Sequence, residues 1–393
     1  MGSPRLRVAI VGGGIGGMTT ANALARRGVD VTVFEQAPQL GEIGAGVLMT
    51  PNSVRLLERM DMGPALAAVG ARIGKGSQYY RMDGTPVAPI LTTDSAGWNG
   101  MYGMHRADLL AVLANGLPED VVRTGHRCVG FEQDAGAARL TFDNGESAEA
   151  DVVIAADGIH SVLQHHVVPP ASPVHSGSVA YRGLILRSRV PFWASGISQL
   201  WMGEGKHFLV YPVRSGELIN YVGFVPSDEQ TTESWSAPGD PAALAAAFAG
   251  WDDRIGRLLA EVEQTFWWGL YDREPLDSWT NGRLALLGDA AHPMLPHLGQ
   301  GANQAMEDAV AVAVLLSEAD RDSASQALAD YERLRLGRVA EVQRGARANG
   351  QRYDSAYDDL DQRDAEISGS VTFRSWLYDH DIEAEAGKLV AAR

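Results

Sequence analysis

A glycine-rich turn near the start of the chain constrains its fold more than any other feature. Residues 6–11 form a short apolar strand that runs directly into Gly12, Gly14 and Gly17 of a G-x-G-x-x-G pattern, and an alanine-rich helical stretch and a second strand ending at Glu35 follow. In such a unit the first glycine permits the tight turn, the second lets a pyrophosphate approach the backbone, and the third lets helix and strand pack closely. The pattern predicts a Rossmann-like α/β domain that binds a dinucleotide.

The acidic residue at the end of the second strand indicates which dinucleotide is bound. A carboxylate at this position accepts hydrogen bonds from a ribose diol, so Glu35 favours FAD or NAD over NADP. The helix N-terminus supplies free N–H groups and a partial positive charge for the phosphates. We expect Ile15 and Gln36 to line the same site. The motif alone leaves FAD and NAD open.

Two later apolar strands also end in an aspartate beside a glycine. DVVIAA runs into Asp157 and Gly158, and RLALL runs into a glycine followed by Asp289. Open α/β sheets bind ligands at the carboxyl ends of their strands. Gly299 and Gly301 then precede a helix with apolar residues at helical spacing, which gives a second set of backbone amides for an anion. Three such motifs fit one long ligand that threads a single domain.

Composition excludes several other classes of function. The chain has 33 basic and 49 acidic residues and a net charge of −16, which argues against nucleic acid or an anionic membrane as the main partner. A single cysteine, Cys128, excludes internal disulfides and cysteine-based metal sites, and we predict no metal. No apolar run reaches the ~18 residues of a spanning helix, and no signal peptide is evident. We therefore expect a cytoplasmic protein.

The ordered set of three motifs resembles the class A single-component flavoprotein monooxygenases, the aromatic hydroxylases. The forms Gly-Asp-Ala-x-His-Pro-Met at 288–294 and His-Arg-x-Asp-Leu at 105–109 are similar to those of the salicylate 1-hydroxylase, 3-hydroxybenzoate 6-hydroxylase and 6-hydroxynicotinate 3-monooxygenase group. The resemblance implies FAD as cofactor and NADH or NADPH as co-substrate, with NADH favoured. It also implies O2 and a small aromatic substrate, hydroxylated through a flavin C4a-hydroperoxide, in a monomer or homodimer.

The resemblance also implies roles for individual residues along FAD. Arg106 would lie along the cofactor, Val129 would contact the adenine from a strand, and Asp289 would hold the ribityl chain. Gly301 and Ala302 amides would face the flavin pyrimidine edge, where reduced flavin carries negative charge. The other predicted cofactor contacts belong to the three motifs and their neighbours: Gly12, Gly14, Ile15, Gly17, Glu35, Gln36, Gly46, Val47, Asp157, Gly158, Pro296, Gly299 and Asn303.

The implied architecture is a glutathione-reductase-type FAD-binding domain interleaved with a mixed β-sheet substrate domain and followed by C-terminal helices. The predicted FAD-binding domain comprises 1–70, 98–168 and 276–318. The predicted substrate domain comprises 71–97 and 169–275. The predicted C-terminal helical region comprises 319–393.

The strand His207–Val213 carries the principal candidates for chemistry. We read Gln199–Met202, a turn at 203–205 and this strand as a hairpin, and Leu218–Val225 as the next strand. Alternation places His207 and Tyr211 on one face, about 13 Å apart at ~3.3 Å per residue. The resemblance implies that both face the substrate. An imidazole suits removal of a phenol proton near neutrality, although an exposed strand histidine is the alternative.

Four further residues are candidate substrate contacts. His297 follows the third motif and should hang over the ring system, or else be a loop histidine. Arg182 is a candidate carboxylate clamp, because a guanidinium matches a carboxylate in bidentate fashion, or else a surface or flavin-side arginine. Trp201 could wall a ring-shaped pocket or pack in the core. Pro296 would border substrate as well as cofactor.

Departures from the group leave the exact substrate open. Val47 stands where the 6-hydroxynicotinate enzymes carry histidine, Pro296 where the 3-hydroxybenzoate enzymes carry glutamine, and Gln164 where the family often carries an arginine linked to the nicotinamide cofactor. The alternative functions are a monooxygenase of the same fold acting on a urate- or quinolone-like ring, and a flavin-binding redox sensor without turnover.

Overall fold

The computed structural model of the chain describes residues 5–41, 45–170, 173–227, 237–354, 356 and 359–392. The strands are β1 Arg7–Val11, β2 Asp30–Phe34, β3 Gly46–Met49, β4 Ala71–Arg72, β5 Gln78–Arg81, β6 Pro86–Pro89, β7 Tyr102–His105, β8 Val122–Arg123, β9 Cys128–Gln133, β10 Ala138–Phe142, β11 Ser147–Ala150, β12 Val152–Ala155, β13 Val174–Leu186, β14 Gln199–Gly203, β15 Lys206–Val213, β16 Leu218–Pro226, β17 Ala237–Gly239, β18 Thr265–Asp272, β19 Thr280–Asn281 and β20 Leu284–Leu286. The helices are α1 Ile15–Ala25, α2 Pro51–Arg59, α3 Gly63–Val69, α4 Arg106–Asn115, α5 Pro241–Ala247, α6 Asp253–Leu259, α7 Gly301–Ser317, α8 Ala324–Asp354, α9 Leu360–Gly369, α10 Val371–Tyr378 and α11 Ile382–Ala391. Within the described ranges, no helix is both long and apolar enough to cross a membrane.

The three apolar strands that end in glycine motifs are neighbours in one sheet. Its order is β19-β20-β12-β1-β2-β8, with β1 parallel to β2 and β12, and β12 parallel to β20. Every residue of β12 is buried, as expected of a parallel strand covered on both faces. The carboxyl ends of β1, β12 and β20 therefore meet at one edge, which confirms the predicted α/β fold and brings the three motifs together.

Close packing of α1 and α7 against this sheet depends on small residues. A side chain at Gly16 would lie 2.8 Å from Leu287 and 3.2 Å from Ala305. Met306 and Val310, on the same helix as Ala305, are buried in the core of this domain. Helix α1 begins within the first glycine motif and α7 begins at Gly301, after the third, so both helices begin at the sheet edge where the motifs lie.

A second sheet of eight strands runs in the order β17-β18-β13-β16-β15-β14-β5-β6. All its pairings are antiparallel except β14 with β5. The predicted hairpin is present as β14 and β15, and the predicted next strand as β16. One face packs under α5 and α6 around Trp201, Phe208 and Phe248. The other face carries His207, Leu209 and Tyr211 toward a cavity.

The long helix α8 connects the two sheets. Near its start, the Tyr331 hydroxyl donates to the Leu286 carbonyl at 3.0 Å, at the end of β20. At its other end, the Asp354 carbonyl accepts from the Gly205 amide at 2.6 Å, in the turn between β14 and β15. The helix therefore fixes the second sheet relative to the first. Two smaller antiparallel sheets, β3-β7-β4 and β11-β10-β9, flank this framework.

Candidate active site

A groove of about 560 Å³ follows the carboxyl edge of the parallel sheet. Gly12 has a φ of +109°, and a Cβ there would lie 2.3 Å from the Ala156 carbonyl oxygen. A Cβ at Gly17 would lie 2.0 Å from the Gly12 carbonyl oxygen. At Gly14 a Cβ would meet no atom within 4 Å, because this residue opens onto the groove. Two glycines thus permit the fold, and one leaves room for a ligand at the N-terminus of α1.

Glu35 is held at the groove by two main-chain amides. Its Oε2 accepts from the Gly13 amide at 2.7 Å and its Oε1 from the Ala37 amide at 2.7 Å. Each carboxylate oxygen has a further lone pair. The carboxylate is therefore fixed in position and can still accept hydrogen bonds from a ribose diol.

Buried polar groups in the groove fit a polar ligand. Asp157 Oδ2 accepts from the Val162 amide at 2.9 Å, whereas its buried Oδ1 has no partner among the described residues. Burial raises the pKa of Asp157. Burial also lowers the pKa of Arg106, against the opposing effect of Asp289. An unsatisfied carboxylate oxygen and a buried guanidinium at the same groove suit the hydroxyl and phosphate groups of a dinucleotide.

Most of the predicted cofactor residues line the groove or an adjoining cavity. The groove is lined by Gly12, Gly14, Ile15, Glu35, Gln36, Arg106, Asp157, Gly158, Asp289, Gly301 and Ala302. The cavity is lined by Gly46, Val47, Pro296 and Gly299, and shares Arg106, Asp289, Gly301 and Ala302 with the groove. A ligand in the groove can therefore reach the cavity.

Three predicted cofactor residues line neither the groove nor the cavity. Gly17 packs behind the groove, where a Cβ would lie 2.0 Å from the Gly12 carbonyl oxygen. The Val129 side chain is 55% exposed and lies outside the groove, which its neighbour Cys128 lines instead, because adjacent strand residues face opposite ways. Asn303 is buried beneath the cavity wall. Its Nδ2 donates to the carbonyls of Leu48 and Gly299 at 2.9 and 2.7 Å, so it holds β3 against the turn before α7.

The cavity, of about 290 Å³, brings together the residues predicted for chemistry. His207, Tyr211, Arg182 and His297 all line it, although they come from two strands, β13 and β15, and the turn before α7. The apolar side chain of Leu209 lies between His207 and Tyr211 on the same face. The cavity is thus an apolar chamber with a few converging polar groups, as is typical of a small-molecule site.

His207 is buried and held by an acidic partner that the sequence did not indicate. Its Nδ1 lies 2.6 Å from Asp354 Oδ1, and its Nε2 lies 3.4 Å from His297 Nδ1. The imidazole stacks on Phe224, with ring centroids 4.0 Å apart. Burial, followed by the neighbouring His207, lowers the pKa of His297 well below its ordinary value, so His297 is neutral. The arrangement is a histidine–carboxylate pair with a second, neutral histidine beside it.

Tyr211 and Arg182 line the cavity, and Arg182 is within electrostatic range of Arg106, which lines both the cavity and the groove. Burial raises the pKa of Tyr211, so its hydroxyl remains protonated. Burial and then Arg106 lower the pKa of Arg182 to about 10, and its guanidinium lies over the Trp268 ring at 4.9 Å. A Cβ at Gly46 would lie 2.6 Å from the Tyr211 hydroxyl, so only glycine permits this close approach.

The proposed substrate role of Trp201 was wrong. This side chain is fully buried, stacks on Tyr80 and donates to Asp252 Oδ2 at 2.9 Å. Strand β14 pairs Trp201 with Phe208, so both point away from His207. Aromatic composition alone suggested a pocket wall, and composition does not distinguish the two faces of a strand.

Three residues in or next to the cavity were missed because they lie on C-terminal helices. Tyr353 and Asp354 end α8, and Arg374 lies on α10. Tyr353 and Arg374 line the cavity, and Asp354 contacts His207 from 147 positions away. No local motif marks these residues, since they occur in ordinary charged helices. Only the packing of those helices on the second sheet brings them to the site.

Comparison with known proteins identifies the family. The family described as "FAD binding domain" matches residues 5–346. The 3-amino-4-hydroxybenzoate 2-monooxygenase PtmB3 of Streptomyces platensis is 39% identical over 384 residues, covering 95% of this chain and 96% of that protein. Salicylate hydroxylase of Pseudomonas putida is 34% identical over 406 residues, covering 97% of this chain and 94% of that protein. A solved structure of salicylate hydroxylase with substrate is similar, with a TM-score of 0.83, 29% identity and 98% of each chain covered.

These matches extend over nearly the whole chain, including both sheets and the C-terminal helices. The glycine cradle, the anchored Glu35 and the unsatisfied Asp157 oxygen fit the flavin cofactor of that family. The chain belongs to the FAD-dependent class A aromatic monooxygenases.

Proposed function

We propose that this enzyme hydroxylates a small phenolic acid, with NADH or NADPH as reductant and O2 as oxidant. The observation that carries this proposal is the buried His207–Asp354 pair, 2.6 Å apart, in a cavity that joins the cofactor groove. A phenolic ring is activated for hydroxylation when it loses its proton, and a histidine held by a carboxylate is suited to accept that proton. FAD, when bound, supplies the oxygen chemistry that side chains cannot.

His207 is the proposed catalytic base. Asp354 at Nδ1 favours the tautomer that carries its proton there, which leaves Nε2 to accept a proton from the substrate hydroxyl. Asp354 also stabilises the imidazolium that results. We assign orienting roles to His297, which lies beside Nε2, and to Tyr211, whose protonated hydroxyl can donate a hydrogen bond to substrate.

Arg182 is proposed to act electrostatically near the flavin. The effect of Arg106 on its pKa places two guanidinium groups within electrostatic range of each other beside the groove. Together they favour negative charge at this end of the cavity. This supports the flavin-side alternative for Arg182 over the role of carboxylate clamp.

The direct test is substrate-stimulated NADH or NADPH oxidation, followed by product analysis. By their names, two of the relatives act on 3-amino-4-hydroxybenzoate and salicylate, so these compounds, 6-hydroxynicotinate and urate form the screen. Hydroxylation of a phenolic acid, with one oxygen atom from ¹⁸O2 in the product, is the expected result. Turnover of urate alone would favour the non-benzenoid alternative. Bound flavin without stimulated oxidation by any compound would favour the redox sensor.

Substitution of the base tests its role. His207→Ala should slow hydroxylation by roughly 10²–10⁴-fold, the usual contribution of a general base, while FAD remains bound. His166→Ala serves as the matched control, because this histidine lies outside the cavity against Phe131. Unchanged turnover in His207→Ala would remove His207 from the role.

A further inference from the structure

A buried arginine lies at the end of the cavity formed by the C-terminal helices. Arg374 is 7% exposed and lines the cavity. Its Nη2 donates to the Tyr353 hydroxyl at 2.9 Å, whereas its buried Nε has no hydrogen-bond partner. In the part of the chain that the structure describes, no carboxylate lies within ion-pair distance of it, and the groups that raise its pKa against burial are tyrosines. A buried positive charge without a counter-charge is costly, which points to an anion that binds there.

Arg335, another buried arginine, is neutralised by carboxylates. Arg335 lies between Glu307 and Asp308, at 2.6 and 2.7 Å, and is fully buried. This arginine therefore has two carboxylate partners, whereas Arg374 is surrounded by neutral phenols. The difference is that Arg374 lines the cavity and Arg335 does not.

The tyrosines around Arg374 complete a site for an anion. Tyr79, Tyr353 and Tyr378 all line the cavity, and the buried Tyr378 hydroxyl has no hydrogen-bond partner among the described residues. Burial raises the pKa of Tyr79 well above its ordinary value, which keeps that phenol neutral. Asp289, at the cofactor groove, is the sole acidic residue among those found to line the cavity. A guanidinium with neutral hydroxyl donors is suited to a carboxylate.

The position of this site relative to His207 restricts the substrate. The Tyr353 ring lies beside the His207 imidazole, with centroids 5.2 Å apart, while its hydroxyl accepts the hydrogen bond from Arg374. One tyrosine thus separates the proposed base from the arginine. A substrate that reaches both must carry its hydroxyl and its acidic group on well-separated positions of a ring.

We propose that Arg374, with the hydroxyls of Tyr353 and Tyr378, binds the carboxylate of the substrate and that this carboxylate lies across the ring from the reacting hydroxyl. The proposal rests on the proposed function, and it assigns the recognition of the acid to a residue outside the flavin motifs. It favours para-hydroxybenzoates over ortho-hydroxybenzoates such as salicylate.

The test compares an acid with the same phenol lacking its carboxylate. Holoenzyme is titrated with 3-amino-4-hydroxybenzoate or 2-aminophenol, and the change in flavin absorbance gives Kd without turnover. Arg374→Met should raise the Kd of the acid by about 10- to 100-fold, the usual effect of losing a charge-assisted hydrogen bond, and leave that of 2-aminophenol nearly unchanged. Arg374→Lys should recover part of the loss. Wild-type enzyme should bind 4-hydroxybenzoate more tightly than salicylate.

A matched variant and a stability measurement separate recognition from a structural role. Arg363→Met removes a buried arginine of the same helical region that does not line the cavity, and should leave both Kd values unchanged. Because Arg374 has no counter-charge, Arg374→Met should keep or raise Tm. Equal weakening of both ligands, unchanged binding of the acid, or no binding of the acid by wild-type enzyme would overturn the proposal. Saturable binding of the acid without stimulated NADH or NADPH oxidation would instead count against the proposed function alone.

Discussion

Replacement of Asp354 by asparagine isolates the charge that supports the proposed base. Asparagine has nearly the same shape as aspartate, and its Oδ1 can still accept from His207 Nδ1, which lies 2.6 Å from the carboxylate. The main-chain bond from Gly205 to the carbonyl of residue 354 does not involve the side chain and is retained. The substitution therefore removes a negative charge and leaves the orientation of the imidazole in place.

The size of the effect follows from the geometry of this contact. The Asp354 side chain is 20% exposed and the His207 side chain 1%, so solvent screens the interaction only weakly. A hydrogen bond to a charged group contributes about 1.5–3 kcal/mol, which corresponds to about 10- to 150-fold in rate. The interaction strengthens when His207 becomes an imidazolium, so the loss should appear in kcat and not in KM.

The assay is steady-state hydroxylation with the best phenolic acid from the screen, measured across pH. Asp354→Asn should lower kcat by about 10- to 150-fold. The difference in kcat between variant and wild type should become smaller at a pH that ionises the phenol in solution, because a base is then no longer required. Asp354→Ala should lose more, because orientation is lost as well. Asp272→Asn is the control: its carboxylate is 17% exposed and pairs with Arg347 at 2.5 Å, away from His207. A wild-type kcat in Asp354→Asn, or an equal loss in the control, would refute the reasoning.

The remaining predictions concern the cofactor, the core and acid stability. Gly17→Ala should prevent FAD retention, because its Cβ would lie 2.0 Å from the Gly12 carbonyl oxygen; a full flavin spectrum in the purified variant would contradict this. Trp201→Phe should lower the free energy of unfolding by about 1–3 kcal/mol, the usual range for core substitutions, and therefore lower Tm. The KM for substrate should stay unchanged. Burial alone would raise the pKa of Glu307, but the neighbouring Arg335 lowers it from 4.5 to about 2. The ionised Glu307 therefore stabilises the fold fully above pH 4.5, and this stabilisation is lost as the pH falls toward 2. Glu307→Gln should flatten the dependence of Tm on pH in that window, and an unchanged slope would argue against the assignment.

The cofactor groove could be predicted from sequence because its requirements are local. A tight turn, a close approach of helix and strand, and an opening for a ligand each demand glycine at a fixed spacing. The structure shows all three demands at Gly12, Gly17 and Gly14. Strand alternation likewise predicted that His207 and Tyr211 share a face. Signals of this kind depend on neighbours in the chain and require no knowledge of tertiary packing.

The other half of the site depends on packing between distant segments. Trp201 was misplaced because an aromatic-rich sequence does not show whether a tryptophan faces a pocket or the core; its pairing with Phe208 puts it on the core face of β14. Asp354 and Arg374 were missed because the alternation of strands and the glycine motifs carry no information about helices that dock from the C-terminal region. Their charges look like those of any solvated helix until α8 and α10 are placed against the second sheet.

The C-terminal helices that carry Tyr353, Asp354 and Arg374 also link the cavity to the parallel sheet. Helix α8 holds the parallel sheet through Tyr331 and ends at Tyr353, which lines the cavity, and Asp354, which contacts His207. A continuous helix is stiff, so the partner of the proposed base keeps a fixed position relative to the sheet edge that binds FAD. Arg374 is linked to the same helix through the Tyr353 hydroxyl. On the proposed function, we therefore expect the C-terminal helices to set the orientation of the substrate ring and the glycine motifs to set retention of FAD. Substitutions at the end of α8 should alter which ring carbon is hydroxylated, or uncouple NADH or NADPH oxidation from hydroxylation, without loss of flavin.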